Sequence, residues 1–531
     1  MKNLNYFKEK DKPHKTIISV DLKSFYASVE CVDRNLDPFV TPLIVADRSR
    51  GKGTIALAVS PYLKAMGIPN RLRIFDLPNI PNIIFATPRM SRYLEVSAKV
   101  HKIFLKFALP EDIHIYSIDE SFIDIKNYAE VKRKGAKSYA KKIMNEIYKE
   151  LKLQVTIGIG ENIFMAKCAM DIEAKKSEDY MAEWTYDDIP SKLWPISPLS
   201  KMWGIGKNLE KKLNALGFHH VGDIATSDLD YLKNKFGIIG EEIYNHSHGI
   251  DYADLHEVYK SMNTSISVGQ TLFENYDYKD VIHPIIEMCE EIMVRLVNMN
   301  KLCKKIYLSL GFPNHSGHVT GHYEFLQPTN DETEIKNAVK EIYNRKLVSS
   351  KKIRRINICA SDLYGTENYQ LDLFTDIETI DKKKRLTKTI VGIKNKYGSD
   401  KITKATSAYK KSNFEKRHSE IGGHKKWMIE EWKKFNPFKS LMGQEDYVKQ
   451  EEEDYISETN SIPEISEYQM EELNLTLSQI EKDTYVLVTY YNRGVIIKEK
   501  GYATKYNDHL KINNKKIYFT NLLDIRIIEE F

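Results

Sequence analysis

Two short apolar runs, Ile113–Tyr116 and Phe122–Ile125, are separated by only five residues, Ser117-Ile118-Asp119-Glu120-Ser121. Runs of this length read as strands, and so tight a connection makes them neighbours. The flanking sequence extends the pattern. Thr16–Val20 is an apolar run rich in β-branched residues and ends at Asp21, so it reads as a buried strand. Ser24–Asn35 carries Phe25, Val29 and Val32 at helical spacing, and Ser91–Phe107 is amphipathic with the same period. Lys134–Leu151 is helical, and Val155–Ile159 is a further strand. Strand, helix, strand, strand, helix, strand is the ferredoxin-like order. A strand pair, Leu43–Ala46 and Thr54–Val59, flanks the loop Asp47–Gly53 and forms an insertion after the first strand.

In that order of strands the end of the first lies beside the tight connection, so Asp21, Asp119 and Glu120 come to one edge of the sheet. Three carboxylates so close repel one another, and hard divalent cations are their natural counterweight. Mg²⁺ takes oxygen ligands while keeping room for phosphate oxygens and water. Two such ions ~4 Å apart can activate a hydroxyl and stabilise a leaving pyrophosphate. The bland alternative is a polar turn and a strand-end aspartate with no shared role.

The words around those acids decide between the two. V-D-L-K-S-F-Y-A-S-V-E (Val20–Glu30) and Y-S-I-D-E-S-F-I-D (Tyr116–Asp124) resemble, almost letter for letter, the two catalytic motifs of the Y-family polymerases of DinB/UmuC type. The resemblance implies that Asp21, Asp119 and Glu120 are catalytic and, with the Leu22 carbonyl, hold two Mg²⁺ ions. It implies that Tyr26, beside Phe25, is a steric gate lying where a ribose 2′-OH would point. S-P-Y-L-K-A-M-G (Ser60–Gly67) matches the fingers segment that reaches the triphosphate, with Lys64 on the basic position. Where the family often has Tyr, three residues before that position, this chain has Pro61 with Tyr62 one step later. G-I-G-E-N-I-F-M-A-K-C-A (Gly158–Ala169) and D-I-E-A-K (Asp171–Lys175) match the next block, with Lys175 as the second triphosphate lysine.

The resemblance also orders the rest of the 531 residues, far too many for one core. The fold class it implies is α+β, a multidomain right-hand polymerase. Palm and fingers take 14–180, with the fingers inserted at about 33–90. A helical thumb follows at 181–250, where Gly204-Ile205-Gly206-Lys207 resembles a helix-hairpin-helix turn that approaches DNA phosphates. A second β-α-β-β-α-β series at 262–375 sits where the family keeps its little finger. A basic tail spans 376–426. The segment 427–531 looks like a YolD-type domain with an acidic linker and a small C-terminal β barrel, a candidate site for a further protein partner.

Charge is unevenly spread. Asp381–Lys426 holds fifteen Lys/Arg against four Asp/Glu, whereas Gln444–Glu472 holds eleven acids and one lysine. Such blocks read either as a polyanion-binding segment followed by an acidic linker or as two solvated faces. Five scattered cysteines, no apolar leader and no long apolar run lead us to expect a cytoplasmic protein with no membrane partner.

The expected activity is templated extension of a primer with deoxynucleoside triphosphates, opposite damaged or undamaged bases. The rival is a DNA- and clamp-binding scaffold with a vestigial palm, which has no need of intact Asp21, Asp119, Glu120, Lys64 and Lys175. Gln370-Leu371-Asp372-Leu373-Phe374 resembles the pentapeptide that docks on the bacterial sliding clamp, with a hydrogen-bonding glutamine and two apolar anchors. Replacing Leu373 and Phe374 with Ala is therefore expected to remove stimulation by a bacterial sliding clamp while sparing clamp-free extension and thermal stability. Retained stimulation with a lowered melting temperature would instead make these residues part of their domain's core.

Overall fold

The architecture comes from a computed structural model whose described residues are 12–50, 53–257, 265–345, 351–366, 377–398, 401–402, 412–421, 424–425, 473, 476–480, 484–492, 495–506, 509–513, 515–519 and 522–527. The first strand, β1 (Ile17–Leu22), leads into α1 (Phe25–Val32). The insertion follows as β2 (Leu43–Val45), β3 (Ala58–Val59), α2 (Pro61–Ala65) and β4 (Ile84–Ala86), a small sheet in which β2 pairs with β3 antiparallel and with β4 parallel. Next come α3 (Met90–Leu105), β5 (Ile113–Ile115), β6 (Glu120–Asp124), α4 (Ala129–Lys134), α5 (Ala136–Leu151), β7 (Val155–Gly160), α6 (Ile163–Cys168) and β8 (Met181–Trp184). The helix expected over Lys134–Leu151 begins at Ala136, and Lys134 instead ends the separate helix α4, the two being divided at Gly135, whose φ of 84° suits glycine. Strand β8 was not singled out from the sequence; it is four residues long and pairs parallel to β7.

The main sheet has the order β5-β6-β1-β7-β8, with β1 at its centre and antiparallel to both neighbours. Alternation along β1 assigns its side chains to two layers. Ile18, Val20 and Leu22 join the core formed with α1, α3 and α5, including Phe25, Tyr93, Ile103 and Ile143. Ile17 faces the other way, against Phe122, Ile163 and Ala166. On that second side a strand glycine pair admits a helix at very short range. A Cβ on Gly158 would lie 2.1 Å from the Ala166 carbonyl oxygen, and one on Gly160 would lie 2.4 Å from the Ala166 nitrogen. Helix α6 and the π-helical turn Ala169–Ala174 that continues it therefore rest directly on β7.

Helices α7 (Lys207–Ala215), α8 (Val221–Ala225), α9 (Leu229–Phe236) and α10 (Ile238–Ser247) form the next unit. Their core residues Leu213, Val221, Ile224, Leu232 and Ile243 are continuous with Phe164 and Met165 of α6. The chain leaving α10 is tied back to the first domain. Asn162 donates to the Gly249 carbonyl at 2.7 Å, the Phe164 amide donates to Asp251 at 3.2 Å, and Lys15 pairs with Asp254 at 2.7 Å. His256 lies between two carboxylates, 2.8 Å from the buried Asp112 and 2.9 Å from Asp254.

The second α+β unit comprises β9 (Ser265–Tyr276), α11 (Ile282–Asn298), β10 (Lys301–Gly311), β11 (His318–Thr329), α12 (Glu332–Arg345) and β12 (Ile353–Gly365). It repeats the element order of the first but not its sheet order. The strands run β11-β10-β12-β9, so the first strand of this unit is at the edge rather than the centre.

The basic segment is more than a tail. It contains α13 (Ile377–Tyr397) and α14 (Phe414–His418), and a short hairpin of β13 (Glu420–Ile421) and β14 (His424–Lys425). The acids of α11 receive it. Lys394 pairs with Glu290 at 2.5 Å, both side chains being at most 10% exposed, and Arg417 pairs with Glu291. Ser412 donates to Glu287 at 2.6 Å. Removing one partner from a buried pair of this kind costs about 3–5 kcal/mol.

The C-terminal strands are β15 (Thr484–Asn492), β16 (Val495–Lys505), β17 (His509–Ile512), β18 (Lys515–Tyr518) and β19 (Leu522–Ile527), in the order β18-β17-β16-β15-β19. The expected barrel is corrected to an open sheet: among the described residues β18 and β19 are edges that do not pair. Closure needs strands long and staggered enough to meet around the axis, and β18 has only four residues. Leu473, Leu477 and Ile480 pack into the core of this sheet.

His256 supplies a pH test of the tie between units. Burial pulls its pKa down, but Asp112 and Asp254 outweigh burial and the net shift is upward. A raised histidine stabilises the fold fully below its unfolded pKa, and that contribution is lost as pH rises through the folded pKa. Wild type should therefore melt above His256→Gln at pH 6, and thermal melts at pH 9 should show the gap closed.

Candidate active site

The carboxylates expected at the sheet edge are placed there by register. Asp21 is paired directly with Glu120 on β6 and with Thr156 on β7. The Leu22 amide donates to the Asp119 carbonyl at 2.9 Å, which brings the tight connection against the end of β1. Alternation puts Asp21 and Glu120 on the same side as Ile17 and Phe122, facing α6 and its π-helical continuation.

The side chains themselves are parted. Glu120 is buried and lies 2.6 Å from Lys167, while Asp21 lies 3.3 Å from Lys175. Asp171 joins both lysines, at 3.1 Å from Lys167 and 2.7 Å from Lys175. Asp119 accepts from the Ser117 hydroxyl at 2.7 Å. Among the described residues no three His, Cys, Asp or Glu side chains stand together as a ready metal cluster. Burial raises the Asp21 pKa, Lys175 opposes the rise and Asp119 adds to it. Burial likewise raises that of Glu120, with Lys167 opposing. Buried anions held against their solvation preference, with oxygen donors only, suit a hard divalent cation, and the lysines occupy that role in its place.

Asp21 and Asp119 open onto a cleft of about 630 Å³ that is also lined by Leu22, Phe25, Tyr26, Lys64 and Lys175. Glu120 is set behind it. Lys64 is on α2, whose start is fixed by Ser60, buried and accepting from the Leu63 amide, and by Pro61 at the first helical position. Pro61 lines the cleft, whereas Tyr62 packs into the core of the inserted sheet. Burial lowers the Lys64 pKa, the nearby Lys175 lowers it further, and Asp21 and Asp119 raise it.

Tyr26 is held by its neighbours. Its ring stacks on Tyr93 at 4.4 Å and 18°. Tyr93 is fully buried and donates its hydroxyl to Glu30 at 2.7 Å, and Glu30 also accepts from Arg89 at 2.8 Å. Burial pushes the Tyr26 pKa up to about 12, so the ring stays neutral.

Four cleft or site residues were missed in the sequence. Lys23 and Arg71 add positive charge to the lining. Lys167 and Asp171 pair with the carboxylates from α6 and the π turn. Their four-residue spacing with Lys175 was visible; its meaning depends on which face of the helix meets the sheet. In the helical unit, Gly204 has φ of 95°, Ile205 is buried, Gly206 caps α7 and Lys207 opens it. Gln370–Phe374 lies outside the described residues.

Comparison with known proteins bears on this arrangement. Models of the impB/mucB/samB family match residues 20–171, its C-terminal domain matches 263–373, and the IMS family HHH motif matches 186–218. The chain is 35% identical over 417 residues to UvrX of Bacillus subtilis, by its name a candidate UV-damage repair protein, covering 78% of this chain and 98% of that one. The chain belongs to the Y family of DNA polymerases. It is also 30% identical over 420 residues to DNA polymerase IV 2 of Bacillus subtilis, covering 78% of this chain and 99% of the relative. A solved Y-family DNA polymerase chimera shares the fold at a TM-score of 0.53 and 20% identity, over 66% of this chain and 99% of the chimera. In this Y-family chain the family models end at residue 373, so the C-terminal sheet lies beyond them.

Proposed function

We propose that this Y-family chain is an error-prone translesion DNA polymerase, adding deoxynucleotides to a primer 3′ end opposite damaged or undamaged template. The observation that carries the reading is the cleft, a space the size of a nucleotide lined by Asp21 and Asp119 together with Lys64, Lys175 and Arg71. Lys64, Lys175 and Arg71 bind and orient the triphosphate, the lysines as point charges. Tyr26, braced by Tyr93, fills the place of a ribose 2′-OH, so a ribonucleotide meets a ring that cannot retreat. Asp21, Asp119, Glu120 and the Leu22 carbonyl would hold two Mg²⁺ ions, which when bound acidify the 3′-hydroxyl and neutralise the departing pyrophosphate.

Primer–template binding is directed at phosphates, in part through Gly204–Lys207, and so weakens as salt rises. A sliding clamp reached through Gln370–Phe374 supplies the tether that a small phosphate-directed interface lacks. The segment 427–531, YolD-like in sequence, is assigned to a further protein contact.

Two substitutions test the assignment. Asp119→Ala should abolish primer extension in Mg²⁺ while leaving DNA binding nearly intact; extension within tenfold of wild type would sink the metal reading. Tyr26→Ala should admit ribonucleotides far more readily, measured as the ratio of deoxy- to ribonucleotide insertion. An unchanged ratio would return Tyr26 to a packing role.

A further inference from the structure

The carboxylates and lysines behind the cleft form an alternating chain, Glu120, Lys167, Asp171, Lys175, Asp21. Its links measure 2.6, 3.1, 2.7 and 3.3 Å. Lys167 is the most enclosed cation of the chain, at 8% side-chain exposure. The three middle residues come from α6, the π turn and the position just after it. In an α-helix each four-residue step turns a side chain ~40° off line. The wider π turn over Ala169–Ala174 opposes that drift and keeps 167, 171 and 175 along one line toward the sheet.

Resting on the metal reading above, we propose that Lys167 and Asp171 are positioning residues that set how tightly Asp21 and Glu120 take up a divalent cation. An ammonium 2.6 Å from a carboxylate oxygen stands where a cation would bind. A cation reaching Glu120 must displace Lys167, and an enclosed ammonium cannot simply turn to water. The acceptor already in contact with it is Asp171. Asp171 also makes the shorter of the two Lys175 contacts, so it draws that lysine away from Asp21. Lys167 thus competes with the cation, and Asp171 relieves the competition.

The two side chains therefore act in opposite directions, which a purely structural role would not produce. In the full-length chain without DNA, Mn²⁺ binding can be followed from the EPR signal of the free ion. Lys167→Met should tighten Mn²⁺ binding about fivefold and Asp171→Asn should weaken it about fivefold. Asp171→Glu should restore near wild-type binding. Melting in EDTA reports folding, and if Lys167→Met is unfolded, Lys167→Gln carries the same expectation. Shifts of both variants in one direction, or of neither beyond twofold, would overturn the proposal. Wild-type Mn²⁺ binding that survives in Asp21→Asn would instead overturn the metal reading itself.

Discussion

The arrangement of the site depends on how closely α6 lies on the central sheet. Gly158 and Gly160 share the face of β7 that continues the Asp21 side of β1, and neither has room for even one carbon. Any side chain there would lift α6 and its π turn off the strand. Lys167 and Lys175 would then lose their approach to Glu120 and Asp21. A backbone contact with no chemistry of its own thus fixes where the charges meet.

Those charges are mutually dependent. Two strand carboxylates, Glu120 buried and Asp21 half-buried, share one face of the sheet, a position whose desolvation is tolerated only with counter-charge nearby. Lys167 and Lys175 fill that need, and Lys175 also lines the cleft together with Lys23, Lys64 and Arg71. Like-charge proximity and burial both lower the pKa of Lys23 and Lys64, against the pull of Asp21.

A second use of paired charge holds the basic segment. Glu287, Glu290 and Glu291 lie within one helical turn and a half of α11 and each receives a partner from residues 394–417. Phe414 is buried beside them, and Tyr276 donates to Asn413 at 2.9 Å. The excess of lysine in this stretch is therefore divided between docking and an exposed remainder. Lys382, Lys383, Arg385 and Lys388 of α13 are exposed.

Much of this was legible from residue order alone. Alternating apolar runs located the strands of both α+β units, and their order is local information. Asp21, Asp119 and Glu120 could be brought to one edge because a strand end and a tight connection leave few choices. What escaped was whatever depends on contacts far apart in the chain. The two units have the same element order, yet one places its first strand in the centre and the other at the edge, because sheet order follows from which faces can be covered. The parting of Asp21 and Glu120 onto different lysines is likewise not local. It requires knowing that α6 meets the glycine face of β7, a contact set by packing rather than by any one residue. Barrel closure failed for the same reason: alternation identifies strands, but whether the last meets the first is a matter of length and stagger. Sequence singled out the strand-end and turn carboxylates as candidates; tertiary structure decided which charge faces which, since that depends on the distance between surfaces and not on position along the chain.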